Sequence, residues 1–167
     1  ISGKDRAGNE SNISIARKIR YDITAPEIEM SFPFDRTYIT TPAISYSLNE
    51  KLSQGKIIYN HMGGASDPNA PYEYAMDFGL RQKREHRNIF MDDGPDLMEG
   101  GVYSISITGR DRAGNEAEVA SVSGVIYDAT SPKLTIQTPD STLVVNHNRI
   151  RFSKNEDGVA PLKNKSI

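Results

Sequence analysis

The sequence contains no cysteine, which excludes disulfides, thiolate zinc sites and a cysteine nucleophile. It has little net charge, −2 over 167 residues, so the chain as a whole gives no electrostatic reason to expect nucleic acid or an anionic membrane. No run approaches the about 18 apolar residues that cross a bilayer, and no membrane insertion is expected of this stretch. Long segments of helical periodicity are missing as well. The histidines, His61, His86 and His147, stand far apart with no paired ligand spacing. No serine sits in a Gly-x-Ser-x-Gly frame. Gly63-Gly64 with Asp67 and Asn69 has no strand-loop-helix context to make it a phosphate cradle. These absences leave no candidate active site, and a non-enzymatic chain is expected.

What is present is an internal repeat. Asp5-Arg6-Ala7-Gly8-Asn9-Glu10 returns letter for letter as Asp111 to Glu116, an offset of 106. Tyr21-Asp22-Ile23-Thr24-Ala25-Pro26 returns at the same offset as Tyr127-Asp128-Ala129-Thr130-Ser131-Pro132. Ile44 to Glu50 returns, more loosely, as Ile150 to Glu156. A fixed period of this size is the mark of serial domains. The division expected is 1–26 as the last strands of one repeat, 27–132 as a complete repeat, and 133–167 as the first strands of another, cut from a longer array.

Short aromatic and β-branched runs separated by Gly, Pro, Asn and Asp make the chain all-β. Strands are expected at 11–21, at Ile28, Met30 and Phe32, at Ile44, Tyr46 and Leu48, and over 56–61. Further ones are expected over 72–78, 86–91, 103–109 and 116–127. Pro33 ends the first of these, and 61–71 is a loop. Ala-Gly-Asn in each turn supplies residues able to take positive φ. Leu97, Gly100 and Tyr103, opening an alternating strand, have the form of a tyrosine corner, with the ring in the core and the hydroxyl bonded back to the preceding corner.

The Asp-x-Ala-Gly-Asn turn, the Tyr-Asp-x-Thr-x-Pro linker and the Ile-x-Tyr/Phe-Ser-x-Asn-Glu segment resemble the tandem immunoglobulin-like repeats of large bacterial secreted and surface proteins, adhesins among them. The resemblance implies an immunoglobulin-like antiparallel β-sandwich, an extracellular or cell-surface location, and partners that are the neighbouring repeats, a surface protein or a glycan. It also implies that Asp22, Glu50 and the Asp111–Glu116 turn converge where the chain enters the complete repeat. Calcium takes about six to eight such oxygens, so Asp22, Glu50, Asp111 and Asn115 form a candidate calcium set, repeated in part by Asp128 and Glu156. A purely geometric role in turns would place the same residue types there.

The leading expectation is a spacer with calcium-stiffened joints. The alternatives are a ligand- or carbohydrate-binding module using loops 61–71 and 81–96, or the accessory domain of a secreted enzyme. The basic run Arg81 to Arg87, followed by Asp92, Asp93 and Asp96, reads as a solvated loop or edge strand, whose charges discourage edge-to-edge aggregation.

Overall fold

The computed structural model describes residues 2–13, 15, 20–138 and 151–155. Among these there is no helix. The strands are β1 (Ile28–Phe32), β2 (Tyr38–Ile39), β3 (Ile44–Leu48), β4 (Gln54–Gly64), β5 (Tyr72–Ala75), β6 (Glu85–Ile89), β7 (Gly101–Arg110), β8 (Ala120–Tyr127), β9 (Lys133–Thr138) and β10 (Arg151–Asn155). β1, β3 and β6 form one sheet in that order, and β2, β8, β7, β4 and β5 form another.

Period-two alternation aims the two sheets at a common core. β3 buries Ile44, Tyr46 and Leu48. From the other sheet β4 buries Ile57 and Tyr59, β7 buries Tyr103, Ile105 and Ile107, and β8 buries Val125. Two sheets enclosing one core is the arrangement of a β-sandwich. Registers fix its two ends. Gln54 pairs with Arg110 at one end of the β4–β7 ladder and Gly64 with Gly101 at the other, while Ser47 pairs with Glu85 on the facing sheet. Segments 49–53, 76–84 and 111–119 therefore share a proximal pole with the incoming chain, and 65–71 and 90–100 share the distal pole.

Several strands differ in extent from expectation. β4 is longer than 56–61 because its outer turns pair with both ends of β7. The strand expected over 72–78 stops at Ala75, where Met76 turns inward, is buried, and donates its N–H to the Gly55 carbonyl. The strand expected over 116–127 begins only at Ala120; before it, Glu116 makes an isolated bridge to Arg110. Of 11–21, the described residues are not in a strand, and residues 14 and 16–19 lie outside the described set.

Past Pro33 the chain crosses between sheets, and β2 pairs parallel to β8, a strand the sequence did not announce. The Asp35 carboxylate accepts the Ser123 N–H at 2.7 Å, and Arg36 donates its N–H to the Ser123 carbonyl at 2.9 Å. Arg36 sits at φ 56°, an uncommon value for a non-glycine. Gly124 makes room for it, since a Cβ there would stand 3.2 Å from Arg36 Cγ.

At the distal pole Tyr103 closes the corner. Its hydroxyl accepts the Met98 N–H at 2.8 Å and donates to Asp67 at 2.7 Å. Asp67, 7% exposed, also accepts from the Tyr72 hydroxyl at 3.1 Å and the Asn69 N–H at 3.0 Å. Burial works to raise the Asp67 carboxyl, but the Tyr103 hydroxyl, the Asn69 N–H and the Tyr72 hydroxyl outweigh it and hold it below the ordinary carboxylate range. Burial, then that carboxylate, push the Tyr103 hydroxyl far above the usual phenol range, so it remains a donor.

Local geometry also recurs at the offset of 106. β1 and β3 pair Ile28↔Leu48, Glu29↔Ser47 and Met30↔Tyr46, then shift to Phe32↔Ser45. β9 and β10 pair Leu134↔Lys154, Thr135↔Ser153 and Ile136↔Phe152, then shift at the same step to Thr138↔Arg151.

Tyr103→Phe should cost about 1–3 kcal/mol in chemical denaturation, because it leaves a buried carboxylate and the Met98 N–H short of a partner. Tyr72→Phe should cost less, since Asp67 keeps Tyr103. The folded Asp67 carboxyl titrates below its unfolded value, so its contribution is present above the ordinary carboxylate range and is lost as pH falls through the depressed value. Asp67→Asn should accordingly flatten the acid limb of the stability profile.

Candidate functional site

The proximal pole is built around the turn that leaves β7. Asp111 donates its N–H to the Asn115 carbonyl at 3.0 Å, and its Oδ1 accepts the N–H groups of Gly114 at 2.7 Å and Asn115 at 2.9 Å. Oδ2 accepts from Asn115 Nδ2 at 2.8 Å. Gly114 takes φ 98°, whereas Asn115 stays outside the left-handed region; only glycine supplies the positive φ expected of this turn. The turn at 5–9 has the same geometry. There Asp5 Oδ1 accepts the Asn9 N–H at 2.9 Å, Oδ2 accepts Asn9 Nδ2 at 2.8 Å, and Gly8 has φ 93°.

The two turns differ in their surroundings. Asp5 is exposed. Asp111 is 4% exposed, and carboxylate oxygens of Asp22, Glu50 and Asp111 lie within 4.8 Å of one another. Two oxygens on opposite sides of one calcium, each about 2.3–2.6 Å from it, stand up to about 5 Å apart, so the spacing fits that ion. The linker brings Asp22, anchored by Asn115 Nδ2 donating to the Asp22 carbonyl at 3.2 Å. Glu50 follows Asn49, whose Oδ1 accepts the Glu27 N–H at 2.8 Å and whose N–H donates to the Glu27 carbonyl at 3.3 Å. Asn115 thus acts here as a buttress for Asp111 and for the linker.

Asp128 is placed at the distal pole, where its N–H donates to the Ile39 carbonyl at 2.9 Å. Its expected companion Glu156 lies outside the described residues. The linker that Asp128 opens is fixed by Glu99, which accepts the N–H of Ala129 at 3.0 Å and of Thr130 at 3.4 Å.

Charge is in conflict at the three-carboxylate cluster. Burial, followed by the charges of Asp111 and Asp22, raises the Glu50 carboxyl, and Lys83 offsets part of this. Asp111 feels burial first, yet the Asn115 side chain and the N–H groups of Asn115, Gly114 and Ala113 hold it below its ordinary range.

The other singled-out stretches serve the fold. Arg81 donates from Nη1 to the Ser53 carbonyl and from Nε to the Asp77 carbonyl at 3.0 Å. His86 is 2% exposed and stacks on Tyr46 with ring centroids 4.6 Å apart. The basic run is therefore not solvated throughout, although β6 is indeed a sheet edge. Gly63 and Gly64 are paired strand residues. His61 packs its ring edge-on against Tyr103 at 5.7 Å, and His147 lies outside the described residues. Asp67, weighed in the sequence only as part of a phosphate cradle, instead serves the Tyr72 and Tyr103 hydroxyls as an acceptor. No helix among the described residues is long and apolar enough to cross a membrane.

No protein family, curated protein or solved structure matches this chain.

Because the folded Glu50 carboxyl titrates above its unfolded value, its ionisation opposes folding. The penalty appears as pH rises through the ordinary glutamate range and is complete above the folded value. Without divalent cations, Glu50→Gln should raise the melting temperature at neutral pH, by an amount that added salt reduces. An unchanged or lower melting temperature would mean that the three charges do not repel.

Proposed function

We propose that the chain is a stretch of tandem immunoglobulin-like units, serving as a non-catalytic spacer in a large secreted or surface protein, with calcium held at the joint ahead of the unit 27–132. The observation that carries this reading is duplication at a constant offset, in sequence and in local geometry together. Asp5–Asn9 and Asp111–Asn115 form the same hydrogen-bonded turn, and the bridge Lys4↔Glu10 has its counterpart in Arg110↔Glu116. β1–β3 and β9–β10 share one register and one irregularity. Support for an immunoglobulin-like unit comes from the strand order, from the chain switching sheets between β1 and β2, and from the tyrosine corner.

The reading of a spacer follows from the linkers. Each is pinned by side chains, the incoming one by Asn115 and Asn49 and the outgoing one by Glu99. Short linkers containing proline and tied at their ends behave as stiff joints. A calcium ion shared by Asp22 from the linker and by Glu50 and Asp111 from the unit would tie them more firmly and neutralise the repulsion. An adhesion role and an extracellular location rest on the resemblance to bacterial surface repeats.

Calorimetric melting in chelator and in calcium tests the joint. Chelator should lower the melting temperature and calcium restore it, while Asp111→Asn and Asp22→Asn should each remove the response. A melt indifferent to both additions overturns the calcium assignment. The division into units is tested separately by limited proteolysis, which should trim the chain toward about 27–132, the size of one independent domain.

A further inference from the structure

The outer face of the five-stranded sheet carries an open cleft of about 650 Å³ near the proximal pole. Its floor is two cross-strand pairs, Gln54 with Arg110 and Lys56 with Thr108. Met76 and Arg81 stand on one side, Glu116 and Val119 on the other. Core packing sets this shape. Gly55 and Gly109 are paired across β4 and β7, and the Met76 sulfur occupies the place of a Gly55 Cβ while Leu52 Cδ1 lies 2.6 Å from where a Gly109 Cβ would be. Because neither of the paired glycines carries a side chain, Met76 can fold under the sheet and bring Arg81 back beside it.

The chemistry of the cleft differs from that of the chain as a whole. Three cations and one carboxylate line it, in a chain of net charge −2. Lys56 shares its charge with Glu73 at 2.7 Å. Arg81 is anchored on carbonyl groups, and among the described residues neither Arg81 nor Arg110 forms an ion pair. Two guanidinium groups that form no ion pair among the described residues, against the single carboxylate of Glu116 in the lining, favour an anion. A peptide cannot add to the floor as a strand, because β4 and β7 are each paired on both sides. No aromatic ring lines the cleft, so there is no platform for stacked bases. Hydrogen-bonding side chains continue along the sheet from the floor, through Ser106 to the pair Asn60 and Ser104.

We propose that this cleft binds an extended, carboxylate-bearing oligosaccharide. Arg110 and Arg81 take the carboxylate, and Gln54, Thr108 and the following hydroxyl and amide groups take the sugar hydroxyls. The site is separate from the distal loop 65–71 and from the Asp22–Glu50–Asp111 group, so binding requires no calcium.

The test is calorimetric titration of the whole chain, in chelator, with a galacturonic acid tetramer, its methyl ester and a glutamate tetrapeptide. The acidic tetramer should bind. Arg110→Gln and Thr108→Val, both on the outer face, should weaken it, the former by about tenfold as expected for loss of a charge-assisted pair. The neutral ester should not bind detectably and the peptide should bind more weakly. The proposal is overturned if the acidic tetramer gives no heat and no chemical-shift changes at these residues. Equal binding to Arg110→Gln, or equal affinity for the glutamate peptide, overturns it too, the latter by reducing the cleft to a general polyanion surface.

Discussion

The antiparallel ladder between β4 and β7 is the constraint on which the rest of the structure depends. It runs from Gln54↔Arg110 to Gly64↔Gly101, and its alternation decides which side chains enter the core. Ile57, Tyr59, Tyr103, Ile105 and Ile107 are buried together because they share one face. A slip of one residue would turn all of them to solvent and bring Lys56, Ser106 and Thr108 inside. The same ladder separates the two poles, so it places the carboxylates at one end and the tyrosine corner at the other. Both the cleft floor and the core are faces of this one pairing.

How much of this was legible depends on the range of the interaction. The alternation of Tyr103, Ile105 and Ile107 and the corner signature at Leu97 to Tyr103 are local, and they gave the strand, its buried face and the role of the hydroxyl. The repeat gave the equivalence of the two Asp-Asn turns. By contrast, β2 exists because Asp35 and Arg36 meet Ser123, 88 residues from Asp35. The end of β5 is set by the space over Gly55, 21 residues before Met76, and His86 is buried by Tyr46 on the next strand. No period or propensity encodes these choices; tertiary contacts make them.

Convergence of Asp22, Glu50 and Asp111 was expected only through a resemblance, and it rests on backbone paths that side-chain chemistry alone does not dictate. The turn at 5–9 works as an internal control. Asp5 accepts from the N–H and the side-chain amide of Asn9, as Asp111 does from Asn115, while exposed and, among the described residues, with no such group assembled around it. Hydrogen bonds within the turn therefore say nothing about an ion. What distinguishes Asp111 is its burial and the two carboxylates beside it.

Those neighbours are held there by contacts that do not involve their charges. Asn115 grips the linker at the Asp22 carbonyl, and Asn49 accepts the Glu27 N–H at its side-chain Oδ1 and donates its own N–H to the Glu27 carbonyl. The repulsion that, after burial, raises Glu50 is thus imposed on the site by its own buttresses. It can be relieved by a proton on Glu50, by a cation among the oxygens, or by the linker moving away from the turn. Only the last gives up the Asn115 contact. In the joint proposed above, stiffness would then follow the ionic conditions around it, and removing the Glu50 charge would uncouple the two without loosening the turn.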